Sequence, residues 1–334
     1  MINLATLEPN KVSINLMQYS IIIGGDSGIG KTTTLDLILK SMSSGKAVPL
    51  FLEFENRFQN IPDVSAVKVD TMSDFKSIIA QLKNPALKEK YSCVVVDSLD
   101  KYEEFCEKYI TENADAEILK DVGAYGEGQM RFKSSLRNLG TLQNLGYTVH
   151  FIAQATKNVD FDSKKESIDF KLNKNTLSYT REGAFLVGYL YLKTVNGKVE
   201  RFLTFQKSEK HPNLKDTFGL PSEINVKDFK QVWLGTIEKM GGDLTTDQKT
   251  IDSSPKQEDF NAVKARGVEL GGILAESGYL IEATAVLKKN IGTDENGNVK
   301  MFDSLHESQI ELTKVIVMEL DELATKFNLL KVQS

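Results

Sequence analysis

The sequence is poor in the residues that build disulfide scaffolds and metal centres. Its 334 residues include two cysteines, three histidines and one tryptophan. Two scattered cysteines indicate reduced thiols in a cytosol-like compartment, and neither they nor the histidines show a metal-ligand spacing. No apolar run approaches the length of a membrane span, and the first residues lack the layout of a signal peptide. We therefore expect a cytoplasmic protein with no membrane partner.

A strong charge of one sign is also missing. The formal net charge is −5, and the acidic excess lies in residues 241–334, so the rest of the chain is close to neutral. The net charge therefore neither favours nor excludes nucleic acid as a partner, and local patches must decide.

What the sequence does contain is a strand, a glycine loop and a helix in that order. Residues 21–23 are three isoleucines, residues 25–32 read G-x-x-x-x-G-K-T, and residues 33–42 have the apolar spacing of a helix with one buried face. Such a loop wraps a phosphate chain with its backbone N–H groups, Lys31 reaches the β- and γ-phosphates, and the Thr32 hydroxyl ligates Mg²⁺. The sequence therefore predicts a nucleoside triphosphate site. The predicted binding residues are Gly25, Asp26, Ser27, Gly28, Ile29, Gly30, Lys31, Thr32 and Thr33.

Three further predicted strands end in polar side chains. Glu53 and Glu55 follow the strand 48–52, Asp97 follows the apolar run 93–96, and Gln154 follows the strand 147–153. Ligands of open α/β sheets bind at the carboxyl ends of the strands. Asp97 fits the Walker B carboxylate, so Thr32 and Asp97 are the predicted metal ligands. A glutamate here could orient or deprotonate water, and Gln154 could sense the γ-phosphate, but solvated or backbone-bonded strand ends explain these residues equally well.

The segment 155–182 has no sustained period and interleaves lysines with aromatic residues. Basic side chains that follow phosphates and rings that stack on bases are typical of single-stranded DNA binding. A solvated irregular loop explains the pattern equally well, because acidic residues dilute its charge. The candidate DNA-binding residues are Lys157, Phe161, Lys164, Lys165, Phe170, Lys171, Lys174 and Tyr179.

The chain is predicted to fold as an α/β core followed by a helical unit. Residues 1–240 form the core, residues 241–257 are a polar, glycine-led linker, and residues 258–334 form a helical C-terminal domain or assembly arm. A stripe of Leu312, Ile316, Leu320, Leu323 and Phe327 marks the last helix, and ordinary core packing explains it best.

Taken together, these motifs resemble the RecA-type ATPase core over about residues 10–235. Residues 51–55 (F-L-E-F-E) look like the RecA strand that carries the catalytic glutamate, and residues 94–98 (V-V-V-D-S) match its Walker B strand. The resemblance implies a RecA-like P-loop fold, a mostly parallel sheet flanked by helices, with ATP and Mg²⁺ as cofactors. It makes Glu55 rather than Glu53 the catalytic base and makes Gln154 the residue that couples the nucleotide to the DNA loop.

The resemblance also implies catalytic groups that act across a subunit boundary. Residues 214–219 (L-K-D-T-F-G) look like the K-N-R-F-G motif of RadA-type ATPases, although Thr217 replaces the arginine, so only Lys215 carries over. Lys207 and Lys210 follow the strand after which RecA has its own trans-acting lysines. The catalytic set that the resemblance implies is Glu55, Lys31, Gln154, Lys215 and Lys207.

The loop, the compact core and residues 215–224 are most similar to phage-encoded RecA-core ATPases, which are counted with the Sak proteins of single-strand annealing and recombination. This likeness implies a homo-oligomer, a ring or a filament, that acts on single-stranded DNA in annealing or strand exchange. It also implies the cytoplasm of a bacterial host as location and a single-strand-binding protein as a partner. Two alternatives stay open: a translocating motor or helicase loader, and a nucleotide-gated protein-interaction switch without DNA chemistry.

Overall fold

The computed structural model describes residues 12–42, 48–55, 61–159, 164–242 and 259–329. The chain divides into two compact units, Met1–Ile251 and Asp252–Ser334. The larger part of the predicted linker 241–257 lies outside the described residues.

A mostly parallel sheet forms the centre of the first unit. Its strands are β1 (Ile21–Gly25), β2 (Val48–Glu53), β3 (Ser65–Lys68), β4 (Tyr91–Asp97), β5 (Thr148–Val159), β6 (Glu166–Phe170), β7 (Leu186–Val195), β8 (Lys198–Thr204), β9 (Lys215–Asp216) and β10 (Ile224–Asn225). The order is β10-β8-β7-β1-β5-β4-β2-β3, with β6 paired to β5 and β9 to β7. The neighbours from β7 to β3 run parallel, and the pairs that involve β6, β8, β9 or β10 are antiparallel. The glycine loop therefore starts from a strand with parallel neighbours on both sides.

Helices cover both faces of this sheet, which is why the inner strands are continuous apolar runs. They are α1 (Lys31–Ser41), α2 (Met72–Gln81), α3 (Pro85–Lys90), α4 (Leu99–Ala114), α5 (Glu127–Asn144), α6 (Lys174–Gly183) and α7 (Phe229–Lys239). Along β1, Ile22 packs into the core that includes Phe75, Tyr102 and Phe132, whereas Ile21 and Ile23 pack on the opposite face with Leu35 and Trp233. These layers confirm the predicted α/β class.

The segment 155–182, predicted to be irregular, is regular over its described residues. The strand β5 continues past the core to Val159 and pairs with β6, and α6 follows. The prediction was wrong because the outer half of β5 pairs only with β6 and is largely exposed, so no buried face imposes an alternating apolar pattern. The β7–β8 hairpin closes with a two-residue turn, where Asn196 and Gly197 take positive φ values of 50° and 76°.

The second unit contains the helices α8 (Phe260–Glu276), α9 (Leu280–Ile291) and α10 (Ile310–Lys326). Their apolar faces share a core in which Leu270, Leu274, Ile316 and Leu320 are fully buried. The stripe predicted on the last helix therefore packs within this unit, and the helical C-terminal region is confirmed.

Candidate nucleotide-binding site

The glycine loop joins β1 to α1 with a backbone that only glycine fits at several positions. Gly28 and Gly30 have φ values of 75° and 91°. A Cβ at Gly25 would lie 2.8 Å from the carbonyl oxygen of Leu190. Gly30 is the N-cap of α1, and no side chain caps this helix end. The first N–H groups of α1 therefore form an anion site of the kind that binds phosphate.

Lys31, the first residue of α1, lies among several carboxylates. Its Nζ donates to the carbonyl oxygens of Gly25 (3.1 Å) and Asp26 (2.9 Å). Burial lowers the pKa of Lys31, and the negative charges of Asp97, Asp100, Glu55 and Asp26 oppose this shift. The site thus combines one partly desolvated cation with an excess of negative charge.

Thr32 and Asp97, the two predicted metal ligands, lie in contact with each other. Thr32 Oγ1 donates to Asp97 Oδ2 at 2.5 Å. The pKa of Asp97 is raised to about 6, first by burial and then by the charge of Glu55, whereas hydrogen bonds with Thr32 and Glu53 and the charge of Lys31 act in the opposite direction. A buried carboxylate whose charge is poorly compensated, beside a hydroxyl, fits a divalent cation.

Glu53 and Glu55 occupy different positions at the end of β2. Glu53 is only 2% exposed and pairs in register with Asp97. Glu55 lies beyond the strand, where its Oε1 accepts hydrogen bonds from Ser98 Oγ (3.0 Å) and Gln154 Nε2 (3.5 Å). Glu55 beyond the end of β2, Asp97 at the end of β4 and Gln154 within β5 therefore lie close together.

Asp100 is a residue of this site that the sequence analysis missed. It lies in the first turn of α4 and is 4% exposed, and its Oδ1 accepts the backbone N–H of Gln154 at 3.1 Å. Its Oδ2 is buried and has no hydrogen-bond partner in the part of the chain that the structure describes. The signal in the sequence was a second aspartate three residues after Asp97, at the start of the following helix.

Arg201 of β8 is a second missed residue, and no local pattern pointed to it. Its Nε donates to the carbonyl oxygen of Ile29 at 2.8 Å. A Cβ at Gly30 would lie 3.0 Å from its Nε and Nη2 atoms. Through Arg201, the β7–β8 hairpin therefore contacts a carbonyl group of the glycine loop and supports the loop there.

The two lysines expected to act across a subunit boundary differ in their surroundings. Lys207 lies exposed after β8. Lys215 Nζ donates to the carbonyl oxygens of Arg181 (3.3 Å) and Glu182 (3.4 Å) at the end of α6 in its own chain. A role in a neighbouring active site stays a prediction for both.

The candidate DNA-binding residues lie on a hairpin and a helix rather than on one loop. Lys157, Lys164, Lys171 and Lys174 are exposed, and Lys165 forms an ion pair with Glu209 at 2.9 Å. Tyr179 is 36% exposed on α6. Phe161 lies outside the described residues.

Phe170 is a correction to this set. Its side chain is 6% exposed, and its ring occupies the space that a Cβ at Gly24 would need, with Cε1 at 2.1 Å from that position. The ring packs in the core and presents no face on which a base could stack.

Two further properties concern metals and membranes. Over the described ranges, no group of three or more His, Cys, Asp and Glu side chains could hold a metal ion. Mg²⁺ does not need such a group, because it binds through one or two carboxylates together with phosphate oxygens and water. Within those ranges, too, no helix has the length and apolar character that a membrane crossing requires.

Comparison with known proteins gives a family and a relative from a prophage. Residues 17–218 match the family model AAA_24, described as an AAA domain. The chain is 25% identical over 320 residues to the SPbeta prophage-derived uncharacterized protein YorG of Bacillus subtilis (strain 168), covering 91% of this chain and 93% of that protein. These matches agree with the predicted class of phage P-loop ATPase, whereas the likeness to the Sak group stays a prediction.

Two solved structures are similar at low identity. The KaiC-like protein PH0186 of Pyrococcus horikoshii OT3 is 14% identical, with a TM-score of 0.33 over 60% of this chain and 89% of that chain. The flagellar accessory protein FlaH of Methanocaldococcus jannaschii is 11% identical, with a TM-score of 0.31 over 63% of this chain and 84% of that chain.

Proposed function

Since the chain belongs to the AAA_24 family of AAA domains, we propose that it binds ATP with Mg²⁺ and hydrolyses the γ-phosphate. The observation that carries this proposal is the convergence of four side chains at the glycine loop: Lys31, Thr32, Asp97 and Glu55. The loop and the N-terminus of α1 bind the phosphate chain, and Thr32 and Asp97 hold the metal.

The residues of the site divide the chemistry among them. When bound, Mg²⁺ neutralises charge on the phosphate oxygens. The Lys31 ammonium, now bonded to loop carbonyl groups, turns to the phosphates and stabilises the charge that develops during cleavage. Glu55, held by Ser98 and Gln154, orients the attacking water and accepts its proton. Asp100 fixes the backbone at Gln154 and with it the position of that amide.

The test is phosphate release and nucleotide binding by the full chain and its Lys31→Ala variant. We expect the variant to lose both, because the cation contacts the phosphates directly. Lys83→Ala serves as the matched control: Lys83 is exposed, and its neighbour Leu82 contacts Tyr147 where β5 begins, whereas the glycine loop lies beside Gln154 further along β5. A Lys31→Ala protein that binds and hydrolyses ATP like the control would refute the proposal.

We further propose that the ATPase acts on single-stranded DNA in phage recombination, in annealing or strand exchange. The prophage relative supports this context. Gln154 is directly connected to two of the exposed lysines. Lys157 lies three residues further along the same strand, β5, and the N–H of Lys171 donates to the carbonyl oxygen of Gln154 at 2.8 Å. A shift at the γ-phosphate can therefore reach the β5–β6 hairpin through Gln154.

Stimulation of ATP hydrolysis by DNA tests this second proposal. We expect an oligo(dT) to raise the rate of the parent, and Lys157→Gln combined with Lys164→Gln to abolish the increase. Lys108→Gln combined with Lys120→Gln is the control, because it removes two exposed lysines outside the candidate set. Unwinding of a duplex without annealing would favour a translocating motor, and a rate that no DNA changes would favour the switch without DNA chemistry.

We also propose that the active site is completed by Lys207 or Lys215 of a neighbouring protomer in a ring or filament. The exposed position of Lys207 supports the first choice, because it leaves the ammonium accessible to a neighbour. Lys207→Ala and Lys31→Ala proteins are each expected to be inactive, and their mixture is expected to regain activity where an intact loop meets an intact lysine. If Lys207→Ala alone is fully active, Lys215 is the remaining candidate, and Lys215→Ala is tested in the same kind of mixture. If Lys215→Ala is also active alone, the proposal is refuted.

A further inference from the structure

We propose that the cleft between α5 and α6 binds one nucleotide unit of single-stranded DNA, with Lys133 and Arg137 on the phosphate and Tyr179 against the base. This inference rests on the proposed action on single-stranded DNA. The cleft is a cavity of about 280 Å³. One wall of the cleft is formed by α5 and the other by α6, and the side chains of these two walls indicate which ligand the cleft can bind.

The α5 wall is cationic. Lys133 and Arg137 lie one helical turn apart, both exposed, and line the same cavity. Like charges at this spacing repel each other. Their neighbour Arg131 pairs with Glu127, but over the described residues neither Lys133 nor Arg137 has an ion-pair partner. Two adjacent unpaired cations at a cleft favour an anionic ligand.

The α6 wall offers polar groups and one aromatic ring. Asn175, Ser178, Tyr179 and Glu182 have the spacing of one helical face and line the cavity together. The only carboxylate of the lining is Glu182, and its Oε1 accepts a hydrogen bond from Ser178 Oγ at 2.9 Å. With two cations against this one carboxylate, the lining keeps a net positive charge.

Tyr179 lies where the two helices approach each other closely. A Cβ at Gly140 of α5 would lie 2.9 Å from the Tyr179 hydroxyl, so the hydroxyl end of the ring lies against α5. The side chain is 36% exposed. A partly exposed aromatic ring at a cleft is a surface on which a base can stack.

These walls select a single strand among polyanions. A duplex keeps its bases stacked inside, whereas an unpaired nucleotide can offer a phosphate and a base to one small cleft. The cleft also lies on the helix that begins at Lys174, directly after the β5–β6 hairpin. DNA held in the cleft could therefore continue onto the lysines of that hairpin.

The test measures the binding of fluorescein-labelled oligo(dT) to the full chain over a range of NaCl concentrations. Each phosphate contact contributes about 0.7 to the slope of log affinity against log salt for a single strand. Because both side chains contact the same phosphate, Lys133→Gln combined with Arg137→Gln is expected to reduce the slope by about 0.7. Tyr179→Leu is expected to weaken binding at every salt concentration without changing the slope, because it removes stacking and no charge. Lys108→Gln combined with Lys120→Gln removes the same charge elsewhere and should leave the slope unchanged.

The outcomes separate this inference from the proposed function. If the parent binds no oligo(dT), both fail. If the parent binds and the Lys133/Arg137 variant keeps the parental slope, or the control loses as much slope, the cleft is not a phosphate site and the function stands. Displacement of oligo(dT) by polyglutamate at equal charge concentration, with no effect of Tyr179→Leu, would show a general anion site and overturn the nucleotide assignment.

Discussion

Arg201 provides the sharpest test of how the glycine loop is held. Its Nε donates to the carbonyl oxygen of Ile29 at 2.8 Å, and its guanidinium fills the space beside Gly30. Replacement by glutamine removes both the charge and this donor. Because the loop must present its N–H groups in one direction to bind phosphate, we expect Arg201→Gln to bind ATP more weakly while the protein stays folded.

The expected size follows from the geometry of this contact. A hydrogen bond to a charged group contributes about 1.5–3 kcal/mol when it is shielded from water. Arg201 is an exposed residue, so solvent competes for the donor and we expect about 1 kcal/mol. That amount corresponds to roughly a fivefold increase in the Kd for ATP.

The assay is titration with a fluorescent ATP analogue and Mg²⁺, together with thermal unfolding of the same samples. Lys198→Gln is the matched control, because it removes one positive charge from the same hairpin. Arg201→Lys separates the two contributions, since lysine keeps the charge and loses the planar donor. If Arg201→Gln binds ATP within a factor of two of the control, the hairpin does not support the loop in the way the structure indicates.

Three other predictions concern catalysis, packing and acid stability. Glu55→Gln should lower the rate of phosphate release by about 10²–10⁴-fold and leave ATP binding intact, and equal loss of both would place Glu55 in binding rather than in catalysis. Gly24→Ala should lower the free energy of unfolding by about 1–3 kcal/mol in urea titration, because its Cβ would lie 2.1 Å from the Phe170 ring; Gly235→Ala in α7, where the Cβ meets nothing within 4 Å, is the control and should not be destabilised. Burial lowers the pKa of His150 to about 3, against 6.5 in an unfolded chain, so between these values the unfolded state binds a proton that the folded state does not. The contribution of His150 to the free energy of unfolding is therefore complete above pH 6.5 and falls as the pH decreases, by about 3 kcal/mol at pH 4.5. His150→Gln should show a shallower pH dependence of stability in urea titrations, and the same pH dependence as the parent would contradict a buried, neutral His150.

The glycine loop could be predicted because everything that defines it is local. The isoleucines of β1, the glycines and the first turn of α1 follow one another, and each residue type has one physical reason to be there. Asp97 was similarly accessible, because a buried strand that ends in a carboxylate is visible without knowledge of its neighbours.

The missed residues are defined by contacts between distant parts of the chain. Arg201 and Ile29 are 172 positions apart, and Asp100 and Gln154 are 54 apart. Neither contact changes the local pattern around its members. Phe170 shows the same limit, because an aromatic residue among lysines is typical of nucleic-acid binding until the missing side chain of Gly24 provides a space for its ring.

The position of β1 in the sheet connects these observations. Gly25, where the loop begins, pairs with Gln154 of β5 on one side and with Leu190 of β7 on the other. Each of these strands continues beyond the sheet core into a hairpin, and each hairpin has its own contact at the nucleotide site, through Gln154 in one case and through Arg201 in the other. A displacement of the loop on binding or losing a phosphate would therefore act on two exposed hairpins at once. Coupling between binding sites is reciprocal. If a partner binds more tightly to one position of either hairpin, it must change the affinity of the protein for the nucleotide. The nucleotide must then change the affinity of the protein for that partner by the same factor.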